Sequence, residues 1–267
     1  MSRATTRQKT RSELIKSFLS AYLLPPVTLA AIVALWEAAT LVFRIPEWLL
    51  PSPSAIGYQF LVWWQVLLMN TYVTFYETML GFILAVAIGV PISIAITYAK
   101  PLQNTIYPII LVLQSVPKVA IAPIILLWFG LGLIPKIIIA FLVAFFPIVV
   151  DTATGMMTVD PELLDIVRLL NATKSQIFSK IRLPHSMPYF FSAQKIAITL
   201  SVVGAVIGEF VGANEGLGYL ILSAAPQLQT ALAFAAILIL SLMGIGLFVA
   251  ISLAEKILIP WAFPEKV

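Results

Sequence analysis

The sequence contains no cysteine and one histidine among its 267 residues. Disulfides and thiolate metal sites are thereby excluded, and His185 alone cannot build a metal centre, so it reads as an interfacial residue. Charge is also scarce: Asp, Glu, Lys and Arg make up 10% of the chain, against roughly 25% in a soluble domain. Too few are present to coat a surface that faces water. Catalytic signatures are missing as well. The chain has no G-x-S-x-G, no H-E-x-x-H and no phosphate loop G-x-x-x-x-G-K-[ST], so hydrolase, zinc-protease and ATPase chemistry are not written into it by those motifs.

What is abundant is apolar sequence, 61% of residues with a mean hydropathy of +1.02. It comes in blocks near or above the roughly 20 residues that cross a bilayer as a helix. Backbone polar groups must be satisfied inside lipid, which leaves helices or a closed barrel. Barrel strands alternate apolar and polar residues, and ITLSVVGAVIGEFVG does not. The expected fold is an all-α integral membrane bundle of about six helices.

The spans are expected at about 22–43, 72–98, from 102 onward, 134–150, 189–211 and 231–257. The first apolar block is longer than the core of a secretion signal and lacks a small-residue cleavage site, so it is expected to be retained. Pro46, Pro51 and Pro53 forbid a continuous helix after span 1. The aromatic segment 56–70 is expected to lie along the membrane surface. Pro108, Pro117 and Pro123 interrupt span 3, and GANEGLG reads as a loop before span 6.

The formal net charge of +4 is not a nucleic-acid signal, because the bases cluster where the positive-inside rule puts them. Arg3, Arg7, Lys9, Arg11 and Lys16 occupy the N-terminal arm, and Arg168, Lys174, Lys180 and Arg182 occupy the loop before span 5. With six spans, both termini are expected in the cytoplasm. The expected organisation is a basic cytoplasmic arm (1–21), a transmembrane domain (22–258) that includes a cytoplasmic loop (151–188), and a cytoplasmic tail (259–267). No internal repeat is evident, which argues against carriers built from repeated halves.

The loop VDPELLDIVRLLNATKSQIFSKIRLPHSMP carries the most information. Asp160-Pro161 is a helix start, an N-cap carboxylate followed by proline at the first helical position. Glu162 and Asp165 lie near that positive end. Leu163, Ile166, Val167 and Leu170 recur at helical spacing and predict one apolar face. Asn171 stands where a left-handed residue should end the helix. Thr173 and Gln176 have capping-box spacing for a second helix, which Leu183-Pro184 is expected to end. Such an element is either an amphipathic linker resting on headgroups or a docking site for a soluble partner.

This stretch resembles the "EAA" loop of bacterial ABC importer permeases, where Glu-Ala-Ala is followed by glycine and later by Leu-Pro. Asp165, Ile166 and Val167 stand at the Glu-Ala-Ala positions, Asn171 at the glycine, and Leu183-Pro184 matches directly. Aspartate is one methylene shorter than glutamate, which would reposition any salt bridge, and asparagine shares glycine's tolerance of left-handed backbone. LLPSPSAI, PIILLWFGLGLIPKI and GEFVGANEGLGYLI are similar, in that order, to segments of nitrate/sulfonate/taurine-type permeases, so the resemblance runs from about residue 50 to 261.

The resemblance implies a type I ABC importer permease-like bundle in the bacterial cytoplasmic (inner) membrane. It implies a coupling loop in which Glu162, Asp165, Ile166, Val167, Arg168, Leu170, Asn171, Ala172, Leu183 and Pro184 dock a separate ATPase. The implied partners are two ATPase subunits, an extracytoplasmic binding protein, a second copy of the chain and membrane lipid. The chain itself would bind no cofactor, ATP and magnesium being used by the ATPase. Nitrate, sulfonates or taurine are the implied solutes, and similar permeases serve pyrimidine vitamin precursors.

Ionisable residues within spans are functional candidates by default. Glu37, Glu77 and Glu209 are expected near outer span ends, either reaching water or, for Glu209, forming an outer gate. Lys195 is expected to snorkel to the cytoplasmic side, with Lys118 near a span. Gln114, Ser115, Thr199 and Ser201 are pathway candidates. Gly81, Gly89, Gly204, Gly208, Gly244 and Gly246 are expected to permit close helix packing. An ion-coupled carrier acting alone would need paired acids at mid-membrane, and an intramembrane enzyme would need a nucleophile and base there. Both stand as alternatives.

Overall fold

The computed structural model describes residues 23–262, so the expected arm (1–21) and the last five residues of the expected tail lie outside the described residues. Every element among the described residues is helical, in agreement with the all-α expectation. In chain order these are α1 (Leu24–Val42), α2 (Pro53–Val62), α3 (Trp64–Tyr98), α4 (Lys100–Leu113), α5 (Lys118–Phe129) and α6 (Leu133–Met157). There follow α7 (Pro161–Leu169), α8 (Lys174–Ile177), α9 (Leu183–Gly212), α10 (Leu217–Ala224) and α11 (Thr230–Leu258). α1, α3, α6, the joined rod Lys174–Gly212 and α11 are each long and apolar enough to cross a membrane. α4 and α5 meet at a 96° bend, as a broken sixth span or a re-entrant loop does.

Small and polar residues share the interior of the bundle with buried aliphatics such as Leu67, Ile96, Ile139, Ile148 and Ile198. Along α3 the buried stripe includes Asn70, Thr74, Glu77, Thr78, Gly81, Ala85 and Gly89 beside Leu67, Phe82 and Ile96, while Leu68, Tyr72, Ile83 and Ile88 are exposed. Lipid tails are as apolar as leucine, so large side chains lose nothing by facing outward, and small ones let backbones approach. Three helices approach closely around Ala140 of α6. A Cβ added to Gly81 would lie 2.5 Å from the Ala140 Cβ, and one added to Gly204 would lie 2.6 Å from its Cα. Gly89 and Gly208 are similarly tight, against Ile148 and Lys136. Gly244 and Gly246 face open space, so the packing expected of them is not made within this chain.

Three boundaries differ from expectation. Trp64–Asn70 belongs to the 35-residue α3 rather than to a surface helix; only Pro53–Val62 forms the separate short helix, capped by Ser52. α6 runs on through Asp151 to Met157, because Thr152, Ala153 and Gly155 stay buried against neighbouring helices. Leu183-Pro184 does not end the second loop helix. Phe178–Arg182 forms a π-helical turn that leads straight into α9, and Leu183 N–H bonds the Phe178 carbonyl. Pro184 cannot donate to a carbonyl four residues back, and the wider turn absorbs that missing bond without breaking the rod. The glycine-rich loop is also shorter than expected, since α10 starts at Leu217.

α1 is held to the rest by Glu37, which accepts from the Ser54 N–H at 2.9 Å and the Ser54 hydroxyl at 2.7 Å. That carboxylate is therefore engaged at the N-terminus of α2, where the helix dipole favours negative charge, and does not simply reach water.

Candidate functional site

Two regions carry polar chemistry, one at each end of the bundle. The first is the loop from Asp160 to Arg182. Asp160 accepts the Glu162 N–H at 2.9 Å, and Pro161 opens α7. At the other end Asn171 takes φ +58°. Its N–H bonds the Arg168 carbonyl at 2.9 Å, and the Ala172 N–H bonds the Val167 carbonyl at 3.0 Å. This is a Schellman closure, in which one left-handed residue turns the chain and satisfies the last carbonyls. Thr173 and Gln176 then cap each other reciprocally and start α8.

Leu164 is buried on Val159 and Ile177, with Val167, Ala172 and Ile181 packed around them. The apolar face is divided accordingly. Leu163 and Ile166 are exposed together with Leu169 at 83% and Leu170 at 75% exposure, so Leu169 joins the outward set and Val167 leaves it. Sequence spacing alone gave no sign of this, because Leu163 and Leu164 are adjacent and either one could have turned inward. Asp165 and Arg168 pair at 2.9 Å beside this face. Helices that rest on headgroups carry a basic polar face, whereas α7 opens with Glu162 and Asp165, both exposed. On its exposed aliphatic face, the arrangement suits a protein cleft better than an anionic lipid surface.

The second region lies about 26 residues further along α9, roughly 40 Å away at the helical rise. Glu209 is there, 1% exposed, and Glu77 of α3 is fully buried. Glu209 stands in the last turn of α9, whereas Glu77, expected near a span end, lies well inside the 35-residue α3; neither reaches water. The Lys136 Nζ donates to Glu77 at 2.7 Å inside the bundle. Glu209 accepts from the Thr74 hydroxyl at 2.6 Å and from the Gly218 N–H at 2.5 Å. Thr74 in turn accepts the Leu217 N–H at 2.8 Å, and the Asn70 side-chain oxygen accepts the Gly216 N–H at 2.6 Å. The three N–H groups that open α10 are thus held by side chains of α3 and α9. Gly216 has φ +114° and a Cβ there would collide with the Glu209 carboxylate, so only glycine fits this approach.

Lys136, Thr74 and Asn70 were not singled out by sequence. The available signal was the 70, 74, 77, 78, 81 stripe, which places polar residues on the same helix face as the packing glycines. A cavity of about 360 Å³ adjoins the cluster, lined by Tyr72, Tyr76, Gly132, Asn214 and Glu215 among others.

Other candidates fall elsewhere. Lys195 does not snorkel; it pairs with Glu255 of α11 at 2.8 Å. Gln114 and Ser115 are exposed at the α4–α5 bend. There the Lys118 ammonium donates to the Gln114 carbonyl and sits 4.8 Å from the Phe146 ring, which satisfies the open end of α4. Ser201 is buried and donates to the Thr78 carbonyl at 2.9 Å, between α9 and α3. Leu183 and Pro184 are half-buried at the start of α9, and His185 is exposed. Among the described residues no group of His, Cys, Asp and Glu could hold a metal ion.

The family described as "Binding-protein-dependent transport system inner membrane component" matches residues 87–263. The formylaminopyrimidine transport permease of Halalkalibacterium halodurans is 33% identical over 89% of this chain and 95% of its own. The putative aliphatic sulfonates transport permease of Bacillus subtilis is 30% identical over 87% of this chain and 85% of its own. Among solved structures, the inward-facing MetNI methionine ABC transporter superposes with a TM-score of 0.57 at 20% identity, covering 71% of this chain and 97% of that one. That likeness shows a shared fold.

Proposed function

The chain belongs to the binding-protein-dependent transport system inner membrane components, and from that premise we propose that α7 and α8 are the docking element for its ATPase. As a member of that family it is the membrane-spanning permease of an ABC importer. The observation that carries the docking reading is the exposed set Leu163, Ile166, Leu169 and Leu170, held outward on a capped helix whose inner side packs on Val159, Ile177 and Ile181. A water-facing patch of large aliphatics has no use in a lone subunit.

Two ATPase subunits would seat on the loops of two copies of this chain, each copy supplying half of the pathway. ATP and magnesium would act in those partners. Their closure would pull on α7 and α8, and the joined rod α8–α9 would carry the displacement into the bundle without a flexible joint. A binding protein would deliver solute at the opposite face, where Glu209 and its partners secure α10. The relatives named for formylaminopyrimidine and for sulfonates stand at almost equal identity. The proposed solute class therefore includes small heteroaromatic precursors beside nitrate, sulfonates and taurine. Both termini would face the cytoplasm.

The test is uptake in cells lacking their own copy, assayed with labelled taurine, nitrate and formylaminopyrimidine. Asp165→Lys and Leu170→Asn should each abolish energy-dependent uptake of whichever solute the wild type carries, at unchanged membrane abundance. Full uptake by both variants would sink the docking assignment.

A further inference from the structure

A second cavity, of about 510 Å³, lies where the loop meets the end of α3. Lys100, Arg168, Lys174 and Arg182 line it together with Tyr98 and Gln103, and no carboxylate is among its lining residues. These cations come from four separate segments: the start of α4, the end of α7, the start of α8 and the π-helical turn. The positive-inside rule explains why basic residues share this side of the membrane. It does not explain why they converge on one concavity, where like charges repel each other.

Arg168 pairs at 2.9 Å with Asp165, which is outside the cavity lining. Arg182 is fixed by two contacts, a hydrogen bond from its guanidinium to the Met156 carbonyl at 3.0 Å and the Tyr98 ring at 5.5 Å. The bond to Met156 uses one of the five N–H donors of the guanidinium. A guanidinium held in place with donors to spare, flanked by lysines, is the arrangement that recognises a phosphate group. The position fits as well: Tyr98 ends a membrane span and Lys100 begins the next, which sets the cavity at headgroup depth on the loop side.

We propose that this cavity binds a phosphate-bearing anion, the headgroup of an acidic phospholipid or a free phosphate, and thereby bridges the docking loop to the membrane end of α3. The inference rests on the cavity and its cations and is independent of which ATPase docks nearby.

The test is thermal unfolding of the full-length chain in a neutral detergent, titrated with short-chain phosphatidylglycerol, with short-chain phosphatidylcholine and with inorganic phosphate. At least one of the two anionic probes should raise the unfolding midpoint saturably, while phosphatidylcholine does not. A response to phosphatidylglycerol alone assigns the site to lipid, and a response to phosphate assigns it to the soluble ion. The double variant Lys100→Gln with Lys174→Gln should need about three- to tenfold more probe for half the shift, while Lys256→Gln, an exposed base outside the cavity, should need the same amount as wild type. Absence of any anion response in the wild type overturns the proposal, as does an unchanged response in the double variant.

Discussion

Asn171 decides where α7 ends. Its left-handed φ lets the Arg168 and Val167 carbonyls be satisfied, and the same backbone is unfavourable by roughly 1–2 kcal/mol for an ordinary side chain. Asn171→Gly should leave the unfolding midpoint and uptake unchanged or slightly higher. Asn171→Val should lower both, since a β-branched residue resists this conformation most. Thermal unfolding of the three proteins in detergent checks the order, and equal midpoints would show that the turn is not limiting. This much was legible in the sequence, because Asn followed by Thr-x-x-Gln is local turn chemistry. The Glu77–Lys136 pair was not. Nothing in the sequence near Glu77 or near Lys136 names the other, and the two meet only because α3 and α6 pack through Gly81 and Ala140.

Among the elements, α10 depends most on others for its start. Its opening N–H groups have no partner inside an eight-residue helix and are taken by Asn70, Thr74 and Glu209. Glu209→Gln replaces one acceptor oxygen by an amide donor: turned toward Gly218 it leaves that N–H without an acceptor, and turned toward Thr74 it reverses that bond and leaves the hydroxyl only the Asn70 carbonyl to donate to. A buried group left unsatisfied costs about 1–3 kcal/mol. The variant should unfold at a lower temperature and import more slowly, as measured by detergent melting and by initial uptake rate. A wild-type midpoint would show that the cap is dispensable. Sequence reading placed Glu209 before a glycine-rich loop but could not see α10, since GLGYLILSA is too short and apolar for its period to be distinguished from a loop entering span 6. The span boundaries near Asp151 and Leu183 moved for a related reason: local polarity and proline suggest ends, and tertiary packing carried the helices past them.

At the scale of the whole molecule, the all-helical multi-span character was readable from hydropathy, because a bilayer requires long apolar helices, and five of the expected spans stand as single long helices. Pairing among spans was not, because lipid-facing and buried stripes are equally apolar by composition and differ in side-chain size. The absence of cysteine offers a direct test of orientation. Lys174→Cys and Glu215→Cys each introduce the sole thiol of the chain at an exposed position. A membrane-impermeant maleimide should label Glu215→Cys in intact cells and Lys174→Cys only after permeabilisation; the reverse pattern would invert the bundle. The broadest claim is that the loop Pro161–Arg182 exists to engage an ATPase. It is tested most directly by solubilising membranes in mild detergent, capturing the tagged chain and weighing its companions by mass spectrometry. A stoichiometric subunit bearing a phosphate-loop motif should come with it, and should be lost when Leu169 and Leu170 are both changed to Glu. Recovery of the chain alone, under conditions in which another ABC complex stays intact, would contradict that claim.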